Sequence, residues 1–284
     1  MGWHEWPLML FTVLAQCAIG AFWWCFIALW FADPSPERRT RLEHSMIVLW
    51  GLMAVGFALS TFHLGAPLRA PNAMLRFWHA PLSNEIVFGG GFFALGLLGW
   101  WLAWRDKGSS ALRSGVQFLT LLFSIAFLWN MAALYRMPTV PTWDTPLTPS
   151  AFLLTALLGG GALAELLFRN ADLRSPALVR DGPLGVAAVA LFAAVVVAVL
   201  QAASLPQTAS SIKVASELSP DFIPLTLVRL LLLFGALALW RRQVRVNGQA
   251  ATLTGAAACV LLVLVAEVIG RGLFYGLYMT VGLL

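Results

Sequence analysis

Eight apolar runs, each long enough to cross a lipid bilayer, dominate this chain of 284 residues. A transmembrane helix needs about 20 consecutive and mostly apolar residues. Charges or clusters of proline and glycine bound the runs, which fall at 8–31, 42–63, 84–104, 112–135, 150–168, 183–203, 224–240 and 251–270. We therefore predict an all-α polytopic membrane protein with eight transmembrane helices, forming a single integral membrane domain over residues 1–284.

The composition excludes an ordinary soluble protein. Charged residues make up only 11% of the chain and hydrophobic residues 60%, whereas a soluble domain has about 25% charged residues. Eight spans and their loops leave no length for a separate soluble catalytic domain. The apolar stretch from Gly270 to Leu284 is expected either to extend the last helix or to fold at the membrane interface.

Lysine and arginine are distributed unevenly between the two predicted sides of the membrane. The first, third, fifth and seventh loops hold twelve of these residues, and the other segments hold six. Cytoplasmic loops are generally enriched in lysine and arginine. We therefore predict that the odd loops are cytoplasmic and that both termini lie on the outer side. The cytoplasmic loops then carry the whole net charge of +5, so this charge predicts orientation and not an anionic partner.

Of the outer loops at about 64–83, 136–149 and 204–223, the first and third are long, whereas the cytoplasmic loops are short and charged. Four prolines surround Trp143 in the second of these loops, and proline stiffens a segment by fixing φ. Long and structured connections on one side favour a functional face there. We therefore expect the outer face to carry the function.

His63 and Glu85 are the first candidate functional residues. His63 ends the second predicted span, and Glu85 opens the third after Ser83 or Asn84, either of which is expected to cap that helix. The two ends of a helical hairpin lie at one membrane depth, so both side chains can line one pocket with Arg69 above it. A histidine and a carboxylate suit proton-coupled chemistry. Alternatively, each is only a favourable charge at a helix end.

Glu267 and Arg271 are a second candidate pair, in the outer half of the last span. They are four residues apart with the acid first, which is the favourable order on a helix. They could belong to a binding site or form a structural ion pair between helices. Gly272 and Gly276 follow at the spacing that lets another helix approach closely.

The histidines and cysteines argue against a haem or an iron–sulfur cluster in this chain. His44 and His63 are 19 residues apart, roughly 28 Å along a helix at 1.5 Å per residue. They cannot bind one iron together, and His4 and His79 lie outside the predicted helices. The sequence has three cysteines and no Cys-x-x-Cys motif. We therefore expect no metal site.

Several motifs together resemble a known family. They occur in one order along the whole chain: GWHEWPL at 2–8, HLG at 63–65 followed by Arg69, LSNEI at 82–86, VPTW at 140–143 and IGRGLFYG at 269–276. This series resembles the membrane-anchor (C) subunit of bacterial anaerobic dimethyl sulfoxide reductase, the DmsC family. The family's quinol-site histidine and glutamate match His63 and Glu85, and an arginine of the same motif matches Arg69.

The resemblance implies a function in anaerobic respiration. It implies an anchor in the bacterial inner membrane that binds menaquinol, oxidises it and passes electrons to an iron–sulfur subunit. That subunit serves a molybdopterin catalytic subunit, so the anchor carries the quinol half-reaction and no molybdenum chemistry. We expect the partner to dock on the outer face. Glu267 and Arg271 are further candidates for binding the quinol.

Two other functions remain open on the sequence. A multi-helix transporter would need a polar path across the whole bilayer, whereas the candidate polar residues cluster on one side. A purely structural anchor would let electrons bypass this chain. The resemblance also does not fix the terminal substrate, so an anchor of a related molybdenum enzyme is a third alternative.

Overall fold

The computed structural model describes residues 2–62, 72, 74–173, 175–210, 213–245 and 253–280. Within these ranges the chain is helical, without a β-strand and with one isolated bridge between Ala209 and Val214. The α-helices are α1 (Trp6–Phe31), α2 (Pro36–Ser45), α3 (Ile47–Thr61), α4 (Pro81–Trp104), α5 (Ser110–Leu134), α6 (Leu147–Asn170), α7 (Ala177–Ser204), α8 (Phe222–Arg245) and α9 (Leu253–Gly276).

Eight helical segments are long and apolar enough to cross a membrane, as predicted, with α2 and α3 forming one of them together. Several helices begin before the predicted apolar run. Proline opens α2 and α4 at Pro36 and Pro81, because its fixed φ suits the first helical turn and its missing N–H is not needed there. The last helix continues beyond Gly270 to Gly276, which is the first of the two expectations for this stretch.

Met46 separates α2 from α3 within the second span. The indole N–H of Trp100 donates to the carbonyl oxygen of His44 at 3.0 Å, and the Ser45 hydroxyl donates to the carbonyl of Leu42 at 2.8 Å. Side-chain bonds of this kind compete with the regular backbone bonds of a helix. The interruption lies between the charged α2 and the apolar α3, and the sequence pattern placed the start of this span at residue 42, inside α2.

Helices α1 and α6 form the centre of the bundle. They are the most buried of the eight spans and cross closely, because Gly20 lies against the backbone of Ala156 and Gly160 lies against that of Gly20. One apolar core surrounds α1 together with α3, α4, α5 and α6. A second core joins α6 to α7, α8 and α9.

Both ends of the described chain lie at the same end of the bundle, which we call the terminal end. Gly2 contacts the backbone of Gly276, and the Trp3 ring lies against Gly272. The close approach expected at Gly272 and Gly276 is therefore made by the first residues of the chain. The terminal end also holds the start of α4 and the ends of α5 and α9, which position the site described next.

Candidate functional site

Glu85 is a buried carboxylate at the terminal end. Its side chain belongs to the second turn of α4 and is 5% exposed. The helix begins at Pro81 and not after Ser83 or Asn84, so the predicted capping role of these two residues is wrong. Asn84 instead accepts a hydrogen bond from the backbone N–H of Trp78 at 2.7 Å, which holds the preceding segment against the helix.

Two tyrosines are also buried at the terminal end. The hydroxyls of Tyr135, just after α5, and Tyr275, near the end of α9, share a hydrogen bond of 2.5 Å. Both rings are buried. The terminal end therefore holds a buried hydroxyl pair as well as the buried acid Glu85.

Arg271 is the buried base of this cluster and is only 3% exposed. Its guanidinium donates to Oε1 of Gln16 in α1 at 2.7 Å. The same group lies over the ring of Phe152, with its Cζ 3.8 Å from the ring centroid. A cation over an aromatic face is attracted by the ring quadrupole, but neither contact supplies a negative charge. Among the described residues Arg271 makes no direct ion pair, and the nearest carboxylate on its own helix is Glu267, which lines the same small cavity.

Glu267 lies one turn earlier on α9 and has other partners. The carboxylate accepts from Arg229 of α8 at 3.1 Å and from the Thr155 hydroxyl of α6 at 2.5 Å. Its direct ion pair is therefore with Arg229, whereas the sequence suggested Arg271. Arg229 can make this contact because α8 and α9 pack side by side. A small cavity of about 40 Å³ lies between these residues and Arg271, which is enough for ordered water.

The proline-rich segment after α5 closes the terminal end. The indole N–H of Trp143 donates to the carbonyl oxygen of Phe274 at 2.8 Å, and the Thr142 hydroxyl donates to that of Leu277 at 2.6 Å. Both carbonyls lie at the end of α9, where a helix has fewer backbone donors for its last acceptors. The Trp143 ring also stacks on Phe274, with centroids 5.0 Å apart. The segment therefore fixes the position of Tyr275, which lies between those two carbonyls.

The structure brings together some of the predicted site residues and not others. Glu85 and Arg271 are both buried at the terminal end, and Glu267 pairs with Arg229. His63 and Arg69 lie outside the described residues. The last described residue before them, Phe62, is 73% exposed at the terminal end.

The sequence interpretation missed five of the buried polar residues described here. The residues that it did not single out for this site are Gln16, Tyr135, Thr155, Arg229 and Tyr275. Two signals were available. The chain has three tyrosines against 19 phenylalanines, so a buried tyrosine marks a place where a hydroxyl is needed. Gln16 is an amide inside an otherwise apolar run, where an unpaired polar group would be costly.

The fold and the site define a class of protein: a polytopic helical membrane protein with a buried cluster of ionisable residues at one end. The chain belongs to the DMSO reductase anchor subunit (DmsC) family, whose model matches residues 1–277. It is therefore a membrane anchor of a dimethyl sulfoxide reductase-type complex. Such an anchor implies catalytic and electron-transfer partner subunits.

Three relatives are similar to the protein over nearly the whole of its sequence. The protein is 41% identical to the C subunit of anaerobic dimethyl sulfoxide reductase of Escherichia coli K12, over 99% of its own length and 98% of that relative. It is 42% identical to the YnfH subunit of an anaerobic dimethyl sulfoxide reductase of the same organism, with the same coverage. It is 37% identical to the corresponding C subunit of Haemophilus influenzae, again over 99% and 98%.

Proposed function

We propose that this chain oxidises menaquinol at the terminal end of the bundle and passes the electrons to an iron–sulfur subunit, which in turn serves a molybdopterin subunit. The observation that carries the proposal is the buried Glu85 at the terminal end of an apolar bundle, the end that also holds a buried hydroxyl pair and the buried Arg271. A quinol is apolar and enters from the lipid, so its site needs an apolar surround with a few convergent polar groups. The family resemblance assigns the quinol site to His63 and Glu85, and Glu85 lies at this end of the bundle.

The chemistry follows from the residues. Oxidation of a quinol to a quinone releases two electrons and two protons. His63 would accept a proton from one quinol hydroxyl, or hydrogen-bond to it, and Glu85 would carry a proton to the outside. Arg69 would orient the ring. Arg271 would stabilise negative charge that develops on the quinol as a proton leaves, because charges act strongly in a water-poor interior.

We further propose that the terminal end faces the outside of a bacterial inner membrane and that the iron–sulfur partner docks there. The lysine and arginine count supports this orientation. Alkaline phosphatase, which is active only outside the cytoplasm, is expected to be inactive when it is fused within the 105–113 loop. It is expected to be active when it is fused after residue 144. The opposite pattern would overturn the orientation.

A comparison of two electron donors tests the proposed function. In the complete complex, His63→Arg is expected to abolish turnover driven by a menaquinol analogue, because a bulky cation replaces the proton acceptor. Turnover driven by a reduced dye that feeds the partner subunits directly is expected to stay near the wild-type rate. Undiminished quinol-driven turnover would contradict the proposal. It would favour one of the two alternative functions, a purely structural anchor or a transporter.

The tyrosine pair gives a second test with a matched control. Tyr275→Phe removes the hydroxyl that bonds to Tyr135 while it keeps the ring. We expect quinol-driven kcat to fall by about fivefold to tenfold, the value of one hydrogen bond in a buried site. Tyr278→Phe removes a hydroxyl from a side chain that is 54% exposed and is expected to change nothing. Equal rates for both variants would exclude Tyr275 from the reaction.

A further inference from the structure

A large groove lies between α7 and α8, on the lipid-facing side of the bundle and away from the cluster at Glu85. Its volume is about 1020 Å³, at the upper end of what ligand pockets reach. Apolar residues from one face of each helix line its length, including Ala188, Leu191 and Phe234. Leu191 is buried at its floor, whereas Phe234 is 54% exposed. The groove is therefore an apolar channel that is open along its side.

Two arginines stand at one end of this groove. Arg241 and Arg242 follow directly after the apolar run of α8, at the end of the bundle opposite the terminal end. Both side chains are exposed. Among the residues that the structure describes, neither forms an ion pair. Asp181, the acidic residue at the same mouth, is already paired with Arg180 at 2.8 Å. The mouth of the groove thus carries two positive charges that no described carboxylate neutralises.

We propose that this groove binds an anionic phospholipid, with the headgroup phosphate on Arg241 and Arg242 and an acyl chain along the apolar channel. The arginines lie where a span meets the interface, which is the depth of lipid headgroups. The lining of α7 from Asp181 to Val195 extends about 21 Å into the span at 1.5 Å per residue. Basic pockets between helices on the cytoplasmic side of a membrane suit such headgroups. The combination of charge at the mouth and apolar length fits one lipid molecule.

The test measures lipids retained by the intact complex. The complex is stripped of lipid in detergent, incubated with equal amounts of phosphatidylglycerol and phosphatidylcholine, and analysed by native mass spectrometry. We expect the wild type to retain phosphatidylglycerol in preference. The double substitution Arg241→Gln and Arg242→Gln is expected to lower this preference by roughly fivefold for each arginine. A matched control, Arg41→Gln with Arg105→Gln, removes two exposed charges from the same end outside the groove and is expected to keep the preference.

A second variant fills the channel. Gly185 lines the groove, and a Cβ at this position would meet nothing within 4 Å, so Gly185→Trp can project into it without a clash at the backbone. We expect this variant to lose both lipids from the site. Two results would each overturn the proposal: an unchanged lipid preference in the double arginine variant, or unchanged lipid retention in Gly185→Trp.

Discussion

Replacing Glu85 with lysine is expected to lower quinol-driven turnover by about two to four orders of magnitude, the range that a positioned acid or base contributes. The reason is the position of this carboxylate. It is 5% exposed and lies in the second turn of α4, at the terminal end. A lysine there places a positive charge in the apolar interior and removes the proton carrier. The rate is measured with a menaquinol analogue as the only donor.

Two companion variants separate the chemistry from the fold. Glu85→Gln keeps the size of the side chain and loses only its ability to take a proton, so its quinol-driven rate is also expected to collapse. Glu217→Gln changes an exposed glutamate at the same end and is expected to behave as the wild type. Dye-driven turnover serves as the assembly control in all three complexes. A Glu85→Gln complex with normal quinol-driven turnover would show that this carboxylate does not carry the proton.

Breaking the ion pair between Glu267 and Arg229 is expected to cost about 3–5 kcal/mol of stability, because the remaining partner is left buried and uncompensated. Glu267→Ala also removes the acceptor of the Thr155 hydroxyl, whose bond is 2.5 Å. The side chain of Glu267 is 1% exposed and that of Arg229 is 13% exposed, so water cannot replace either partner fully. The measurement is the midpoint of thermal unfolding of the purified complex.

A double variant distinguishes a structural pair from a binding site. Glu267→Met combined with Arg229→Met removes both charges, and it is expected to recover most of the lost stability, since a buried pair can often be replaced by apolar residues. Arg38→Gln breaks the pair with Asp172, whose side chains are 44% and 54% exposed, and is expected to cost at most about 1 kcal/mol. Recovered stability together with normal affinity for quinol would show that the pair is structural. Recovered stability with lost affinity for quinol would place Glu267 in the quinol site.

The sequence predicted the eight spans because each is an apolar run of the length a bilayer requires, and this signal is local. It also singled out Glu85 as a candidate, since a carboxylate at the start of a span stands out against apolar neighbours, and its role stays a prediction. The interruption at Met46 was not predictable, because the Trp100 indole that bonds beside it belongs to another helix.

The sequence also did not predict which residues the buried polar side chains contact. The order of Glu267 and Arg271 on one helix favoured a pair four residues apart. The packing of α8 against α9 instead brings in Arg229, which is 38 residues away along the chain. The hydroxyl pair of Tyr135 and Tyr275 spans 140 residues. Such contacts are set by how helices pack, and no spacing rule within one helix contains that information.

The central claim is that electrons enter this chain from a quinol at the terminal end, beside Glu85. The most direct measurement is the reduction of the partner subunit's iron–sulfur clusters by a menaquinol analogue within a single turnover, followed by their absorbance. Our account predicts rapid reduction in the wild-type complex and none on that time scale in Glu85→Lys, while a reduced dye still reduces the clusters in both. Cluster reduction by the quinol at the wild-type rate in Glu85→Lys would contradict it.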